Sequence, residues 1–386
     1  MNYIVMSPYY PPNFQTFSIK MHELGINVLG IGQEPYEQLP ENLRASLTEY
    51  FRVNNLEDID EVKRAVAFLF YKHGPIDRIE SQNEHWLNND VLLREQFNVV
   101  GLKSDDLLKT KRKSEMKKIF QSIPVPVVEG ALVRTEKELD NAVKKLGLPL
   151  IAKPDIGVGA GGTFKLASKQ DVIAFKQQWQ GLDYFLEPFV EGDIITYDGL
   201  LDQYGNILFE TSLVYTISPM ELFKREHDIG YYVVKAPDEK LRKYGKAITQ
   251  AFGMKERFFH LEFFRLPNDE YVVIEYNNRP PGSYILDIYN MAYQIDLYKE
   301  YGKAVLGNQE KVVVFDETVC VAQSRRYDIH YCYSEQELYQ KYGQYIIAKL
   351  ETPRAFADLQ GDVVYIVKAE SQTLANEVMQ AIYLRA

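Results

Sequence analysis

Four glycines within six residues, Gly157-Val158-Gly159-Ala160-Gly161-Gly162, separate two short runs of β-formers, and that context limits the folds open to this chain. The run before them is Leu150-Ile151-Ala152-Lys153-Pro154, and the run after is Thr163-Phe164-Lys165-Leu166. Gly157-x-Gly159-x-x-Gly162 has the spacing of a dinucleotide-binding loop, but there the glycines lead from a strand into a helix. Alternating polarity over 163–166 predicts a second strand, so the element is a hairpin flap. Glycines permit positive φ and close approach, which lets successive backbone N–H groups point at an anion. Lys153, ending the entering strand, lies within reach of the same anion. No Gly-Lys-Ser or Gly-Lys-Thr follows, which excludes a Walker loop.

About one hundred residues on, by rough count of the spacing between strands, a second hairpin is predicted from His260-Leu261-Glu262-Phe263-Phe264 and Val272-Val273-Ile274-Glu275-Tyr276-Asn277, joined by Pro267-Asn268-Asp269-Glu270. Pairing across this turn sets Glu262 and Glu275 nearly opposite each other, where like charges repel unless a cation lies between them. Asn277, two residues past Glu275, shares its face and adds a neutral oxygen. Two carboxylates and an amide are hard donors suited to magnesium or manganese. Arg279, in the stiff segment Arg279-Pro280-Pro281-Gly282, presents a guanidinium beside them, fit for a carboxylate or a phosphoryl group. His260 is read as core packing.

The 386 residues exceed one typical domain, and 46% apolar content supplies ample core. The first hundred or so residues, roughly, alternate short strands (Tyr3–Met6, Asn27–Ile31, Ile76–Ile79) with helical segments, which predicts a parallel sheet covered by helices. A basic helix (Lys111–Phe120), a helix over Thr135–Leu146 and the Leu148–Lys153 strand follow. Strands dominate from Tyr184, with helices over Asp238–Phe252 and Tyr293–Leu306. The expected division is 1–105, 106–190, 191–310 and 311–386. A net charge of −10 argues against a nucleic-acid surface. No apolar run reaches membrane-spanning length, and Met1–Met6 reads as a strand and not a signal peptide. Cys320 and Cys332 have no metal or redox spacing and are expected to be buried thiols in a reducing cytoplasm.

In this order the motifs resemble the ATP-grasp superfamily, over roughly residues 1 to 310. The resemblance implies a Rossmann-like parallel α/β domain, then a two-lobed ATP-grasp fold with a glycine flap in the small lobe (106–190) and a metal site in the large lobe (191–310), and a small C-terminal α/β segment. It implies ATP and Mg2+ (or Mn2+) as cofactors. By motif, Lys111 resembles the first nucleotide lysine, with Thr110 in place of the preceding aspartate, and Lys153 the second. Gly157, Gly159, Ala160, Gly161 and Gly162 form the phosphate flap. Glu187-Pro188-Phe189-Val190 resembles the hinge that reads adenine. Ile194 stands where the family places a ribose-binding glutamate, and Asp193 is the candidate substitute. Glu262, Glu275 and Asn277 match the metal ligands, and Arg279 the arginine that steadies an acyl-phosphate.

The implied activity is ligation of a small-molecule carboxylate, phosphorylated to an acyl-phosphate, to an amine. Alternatives are phosphorylation of bicarbonate or carbamate, as in carbamoyl-phosphate synthetase, and an ATP-binding regulatory protein without turnover. Small acids and amines are the expected partners, with neither nucleic acid nor membrane, and a homodimer is the assembly considered. Glu84, His85 and Trp86, with Lys224, Arg225, Glu226, His227 and Asp228, are candidates for the acceptor site.

Overall fold

The structure, a computed structural model, describes residues 1–157, 161–179, 181–217, 227–314 and 318–386. Strands β1 (Asn2–Met6), β2 (Asn27–Gly32), β3 (Glu49–Arg52) and β4 (Arg78–Glu80) form a parallel sheet in the order β3-β2-β1-β4. Tyr3–Met6 and Val28–Ile31 are buried throughout, as expected of central parallel strands covered on both faces. Helix Ile59–His73 covers one face through Val62, Ala65, Val66 and Leu69.

The small lobe is an antiparallel sheet of β5 (Ala131–Val133), β6 (Leu150–Pro154), β7 (Phe164–Leu166) and β8 (Tyr184–Pro188), ordered β5-β8-β6-β7. Capping boxes start its two covering helices. Thr135 and Glu138 begin Glu136–Leu146, and Ser168 and Asp171 begin Lys169–Gln178. Strands β6 and β7 pair Leu150 with Leu166 and Ala152 with Phe164, so the glycine run joins antiparallel neighbours as the expected flap does.

The third sheet has eight strands: β9 (Asp193–Leu201), β10 (Ile207–Tyr215), β11 (Gly230–Val234), β12 (Phe258–Arg265), β13 (Tyr271–Asn277), β14 (Val319–Arg325), β15 (Ile346–Glu351) and β16 (Val363–Ala369). Their order is β13-β12-β9-β10-β11-β14-β16-β15, so strands from segment 311–386 continue the sheet that carries the acidic hairpin. Helix Glu239–Phe252 packs Leu241, Ile248 and Phe252 against Leu261, Phe263, Val273 and Tyr276 on one face.

Three local expectations are corrected. The predicted helix Tyr293–Leu306 runs instead from Leu297 to Val305, because Gln294 turns left-handed at φ 53° and ends a separate preceding helix, Ile285–Tyr293. The basic helix begins at Lys113, and Lys111 instead ends a separate helix, Ser104–Lys111. Cys320 is buried as expected, but Cys332 is exposed.

The break at Arg112 has a cause in the small lobe. Asp155, just past β6 and fully buried, accepts from Ser114 N at 2.8 Å and from Arg112 Nη1 at 3.1 Å, while its carbonyl accepts from Lys113 N at 2.9 Å. A residue distant in sequence thus caps helix Lys113–Gln121 and ties it to the strand bearing Lys153. Asp155→Ala is expected to cost about 1–3 kcal/mol, because it leaves the buried Ser114 N–H without a partner and removes the ion pair with Arg112. The measurement is the urea unfolding midpoint, and an unchanged midpoint would show that this tie contributes nothing.

Candidate active site

Glu262 and Glu275 are direct register partners across β12 and β13, and His260 faces Asn277 one step along. A bulge shapes this patch. Phe263 pairs with Val273, leaving Ile274 unpaired, so Val273 and Tyr276 both reach the core while Glu275 and Asn277 share the opposite face. The Glu262 and Glu275 side chains are 22% and 20% exposed, which leaves their oxygens accessible from one side only.

Lysines approach this acidic patch from helix Lys113–Gln121 and from β6. Lys113 Nζ lies 3.4 Å from Glu275 Oε1 and donates to the carbonyl of flap residue Gly157 at 3.3 Å, so one ammonium touches both halves of the cleft. Lys153 and Lys117 both ion-pair with Glu187 at the end of β8. Burial lowers the Lys153 ammonium's affinity for its proton, but Glu187, Glu275 and Glu262 outweigh that and leave its pKa raised. For Lys117 burial prevails over Glu187, and its pKa is lowered. Burial raises the Glu187 carboxyl, and Lys153 and Lys117 more than reverse this. Lys113 and Lys117 were not singled out as site residues from sequence, although their i, i+4 spacing on one amphipathic helix places them on one face.

Lys111 has its pKa lowered by burial and lies in the field of Glu84 and Asp90, apart from the lysines that meet Glu275 and Glu187. Arg279 Nε donates to Glu84 at 2.9 Å, and its Nη2 reaches Asn277 Oδ1 at 3.5 Å, so the first domain meets the acidic hairpin through this pair. In the hinge, Phe189 N donates to Pro149 O at 3.0 Å, Val190 is half-buried, and Lys165 of β7 stacks its ammonium 3.6 Å above the Phe189 ring. Asp193 is exposed and paired with Arg265 at 2.8 Å, while Ile194 is buried.

Gly157, Gly161 and Gly162 are exposed at the flap, and Gly162 holds φ +73° beside the Pro154 ring, where a Cβ would come within 3.1 Å. Gly159 and Ala160 lie outside the described residues, as do Lys224, Arg225 and Glu226. Of the other acceptor candidates, His85 pairs with Glu57 at 2.7 Å on the surface and Trp86 packs into the first domain. His227 is exposed, whereas Asp228 is buried and held by Arg385 at 2.9 Å and by the Tyr331 hydroxyl at 2.9 Å, so the Asp228 assignment is corrected to a structural one.

His260 is buried, as expected, and carries two polar contacts. Its Nδ1 lies 2.7 Å from Asp198 Oδ1 and its Nε2 3.2 Å from Glu262 Oε1. Burial pulls its pKa down, but Asp198 and Glu262 push it up to about 9. Burial raises Glu262, and His260, Arg279 and Lys153 reverse this and leave its pKa lowered.

Among the described residues no group of three or more His, Cys, Asp and Glu side chains could hold a metal by itself. Two carboxylates in register with an amide alongside nevertheless fit a divalent cation that takes its remaining oxygens from phosphates and water, as magnesium does in nucleotide sites.

The arrangement of a parallel α/β domain, a small antiparallel lobe with a glycine flap and a large sheet carrying an acidic hairpin is the ATP-grasp fold. No protein-family model matches the chain. A stretch of 258 residues is 25% identical to the L-arginine-specific L-amino acid ligase of Bacillus subtilis, covering 64% of this chain and 62% of that protein. The chain thus spans less than two thirds of that curated relative. Among solved structures, the L-amino acid ligase from Bacillus licheniformis superimposes with a TM-score of 0.75 at 16% identity, covering 100% of this chain and 98% of that one. N5-carboxyaminoimidazole synthetase from Staphylococcus aureus, complexed with ADP, does so with a TM-score of 0.72 at 15% identity, over 99% of this chain and 96% of that one.

A raised histidine pKa adds stability in full below the unfolded value of 6.5, and that stability is lost as pH rises through about 9. Metal-free protein should therefore lose stability across this window, and His260→Gln should flatten the loss. Unfolding midpoints measured in a chelator across the window check this, and an unaltered slope would contradict it.

Proposed function

We propose that this protein is an ATP- and magnesium-dependent ligase that converts a small-molecule carboxylate, of the amino-acid or peptide class, to an acyl-phosphate and joins it to an amine. The observation that carries the reading is the contact of Lys113 with both the flap carbonyl of Gly157 and Glu275. It sets Gly157 and Glu275 within one side chain of each other, which supports reading them as the phosphate and metal halves of one cleft. The likeness to an L-amino acid ligase over much of the chain supports the substrate class.

Glu262, Glu275 and Asn277 would hold the cation, which when bound neutralises charge on the β- and γ-phosphates. Lys153, Lys113 and the flap N–H groups of Gly157 to Gly162 bind the remaining phosphate oxygens, while Glu187, Phe189 and Val190 border the base. Lys111 and Asp193 stay as further nucleotide candidates. The substrate carboxylate oxygen attacks the γ-phosphorus as the bond to the β-γ bridging oxygen breaks. The amine then attacks the acyl carbon, and phosphate departs. Arg279 orients the carboxylate and afterwards the acyl-phosphate. Glu84, in contact with Arg279, borders the acceptor side. The flap excludes water from a phosphoanhydride-like intermediate that hydrolyses readily.

A cytoplasmic location is part of this reading, and among the described residues no helix is long and apolar enough to cross a membrane. A homodimer is the assembly proposed.

Glu275→Gln should fold normally and lose turnover by at least about 100-fold, the scale of a lost electrostatic contact in a transition state. Full activity would refute the metal assignment. Incubating wild type with magnesium, ATP and a panel of acids and amines should release ADP and phosphate only when both substrate types are present. AMP and pyrophosphate would identify adenylation, ADP formed with bicarbonate alone a carbamoyl-phosphate type of reaction, and nucleotide binding without turnover a regulatory protein.

A further inference from the structure

The sheet face that bears the acidic pair carries a line of polar side chains running inward from it. Glu262 Oε1 meets His260 Nε2 at 3.2 Å, and His260 Nδ1 meets Asp198 Oδ1 at 2.7 Å. The second Asp198 oxygen accepts from Thr196 Oγ1 at 2.7 Å and from the Tyr289 hydroxyl. Strand register enforces the line, since β12 sets His260 opposite Asp198 and Glu262 opposite Thr196 on β9. Thr196, Asp198, His260 and Tyr289 are all buried, so the line has one open end, at Glu262.

We propose that His260, fixed by Asp198 and Tyr289, is a positioning residue that holds Glu262 in its cation-binding orientation. The inference rests on the ligase reading and adds to it a division of labour between the two carboxylates. Glu275 is partnered by Lys113, a flexible ammonium that can transfer to an arriving phosphate. Glu262 is partnered by a ring with no such freedom, because Asp198 holds its other nitrogen. Asp198 is in turn anchored through its second oxygen by Thr196 and Tyr289, so rotation of the imidazole breaks a buried hydrogen bond to a fixed carboxylate as well as the contact with Glu262.

Packing alone does not require this arrangement. A buried imidazole and carboxylate cost desolvation that an apolar pair of similar volume avoids. Outer partners of this kind commonly contribute 10- to 100-fold, roughly, to metal affinity.

The test is manganese affinity, measured by electron paramagnetic resonance on the full chain with a non-hydrolysable ATP analogue. His260→Ala is expected to weaken manganese binding about 10- to 100-fold while metal-free analogue binding stays unchanged. His260→Gln, which keeps a donor toward Glu262, should recover part of the loss. If His260→Ala does not fold, Asp198→Asn and Tyr289→Phe, which keep shape, replace it and should each weaken manganese severalfold. Manganese affinity unchanged in the folded variants overturns the inference. Wild type that binds no manganese with the analogue overturns the ligase reading itself, so the two failures are distinguishable.

Discussion

Two carboxylates in register on adjacent antiparallel strands repel each other, and the disposition of charge around the cleft follows from that repulsion. Each acid has its own counter-charge, Glu275 from Lys113 and Glu262 from His260. Lys153 lies in the field of both, although its direct partner is Glu187. On the proposed function, the cleft therefore keeps ammonium groups where a bound triphosphate would carry negative charge. Binding would exchange lysine–carboxylate contacts for lysine–phosphate and metal–carboxylate contacts, with little net change in buried charge.

Holding such a site requires the three sheets to keep fixed relative positions. Arg257, immediately before β12, ion-pairs with Glu80 of β4 and donates at 3.0 Å to the Asn278 carbonyl, immediately after β13. Arg94 joins the same Glu80 at 2.5 Å, and Arg78 pairs with Glu256. Both ends of the acidic hairpin are thereby tied to the first domain, from which Glu84 reaches Arg279. On the other side, Asp155 ties the helix of Lys113 and Lys117 to the strand of Lys153. Buried ionic ties such as these add little net stability over apolar packing, but breaking one partner leaves an uncompensated charge and is costly. Their effect is to specify position.

The features legible in the sequence are those set by local rules. The flap follows from glycines between two β-forming runs, and the opposition of Glu262 and Glu275 from alternation on either side of a polar turn. What escaped depends on contacts between segments far apart. The split between Lys111 and Lys113 needs Asp155, which no local signal connects to position 112. His260 is buried as expected, but its partner Asp198 was not legible because it is 62 residues away, on a strand whose register with β12 is set by the sheet. Asp228 looked like part of a charged loop because the basic groups that bury it, Arg326 and Arg385, come from the C-terminal segment. The continuity of that segment with the large sheet is likewise a matter of long-range strand pairing.

The most direct test of the account is a crystal structure of the protein with magnesium and a non-hydrolysable ATP analogue. The account predicts one triphosphate between the flap and the acidic hairpin, with Lys153 on its oxygens and a metal ion bound to both Glu262 and Glu275. A nucleotide seated elsewhere, such as the open cavity of about 420 Å³ beside Asn206, Lys246 and Lys311, with no ion between the two glutamates, would contradict it.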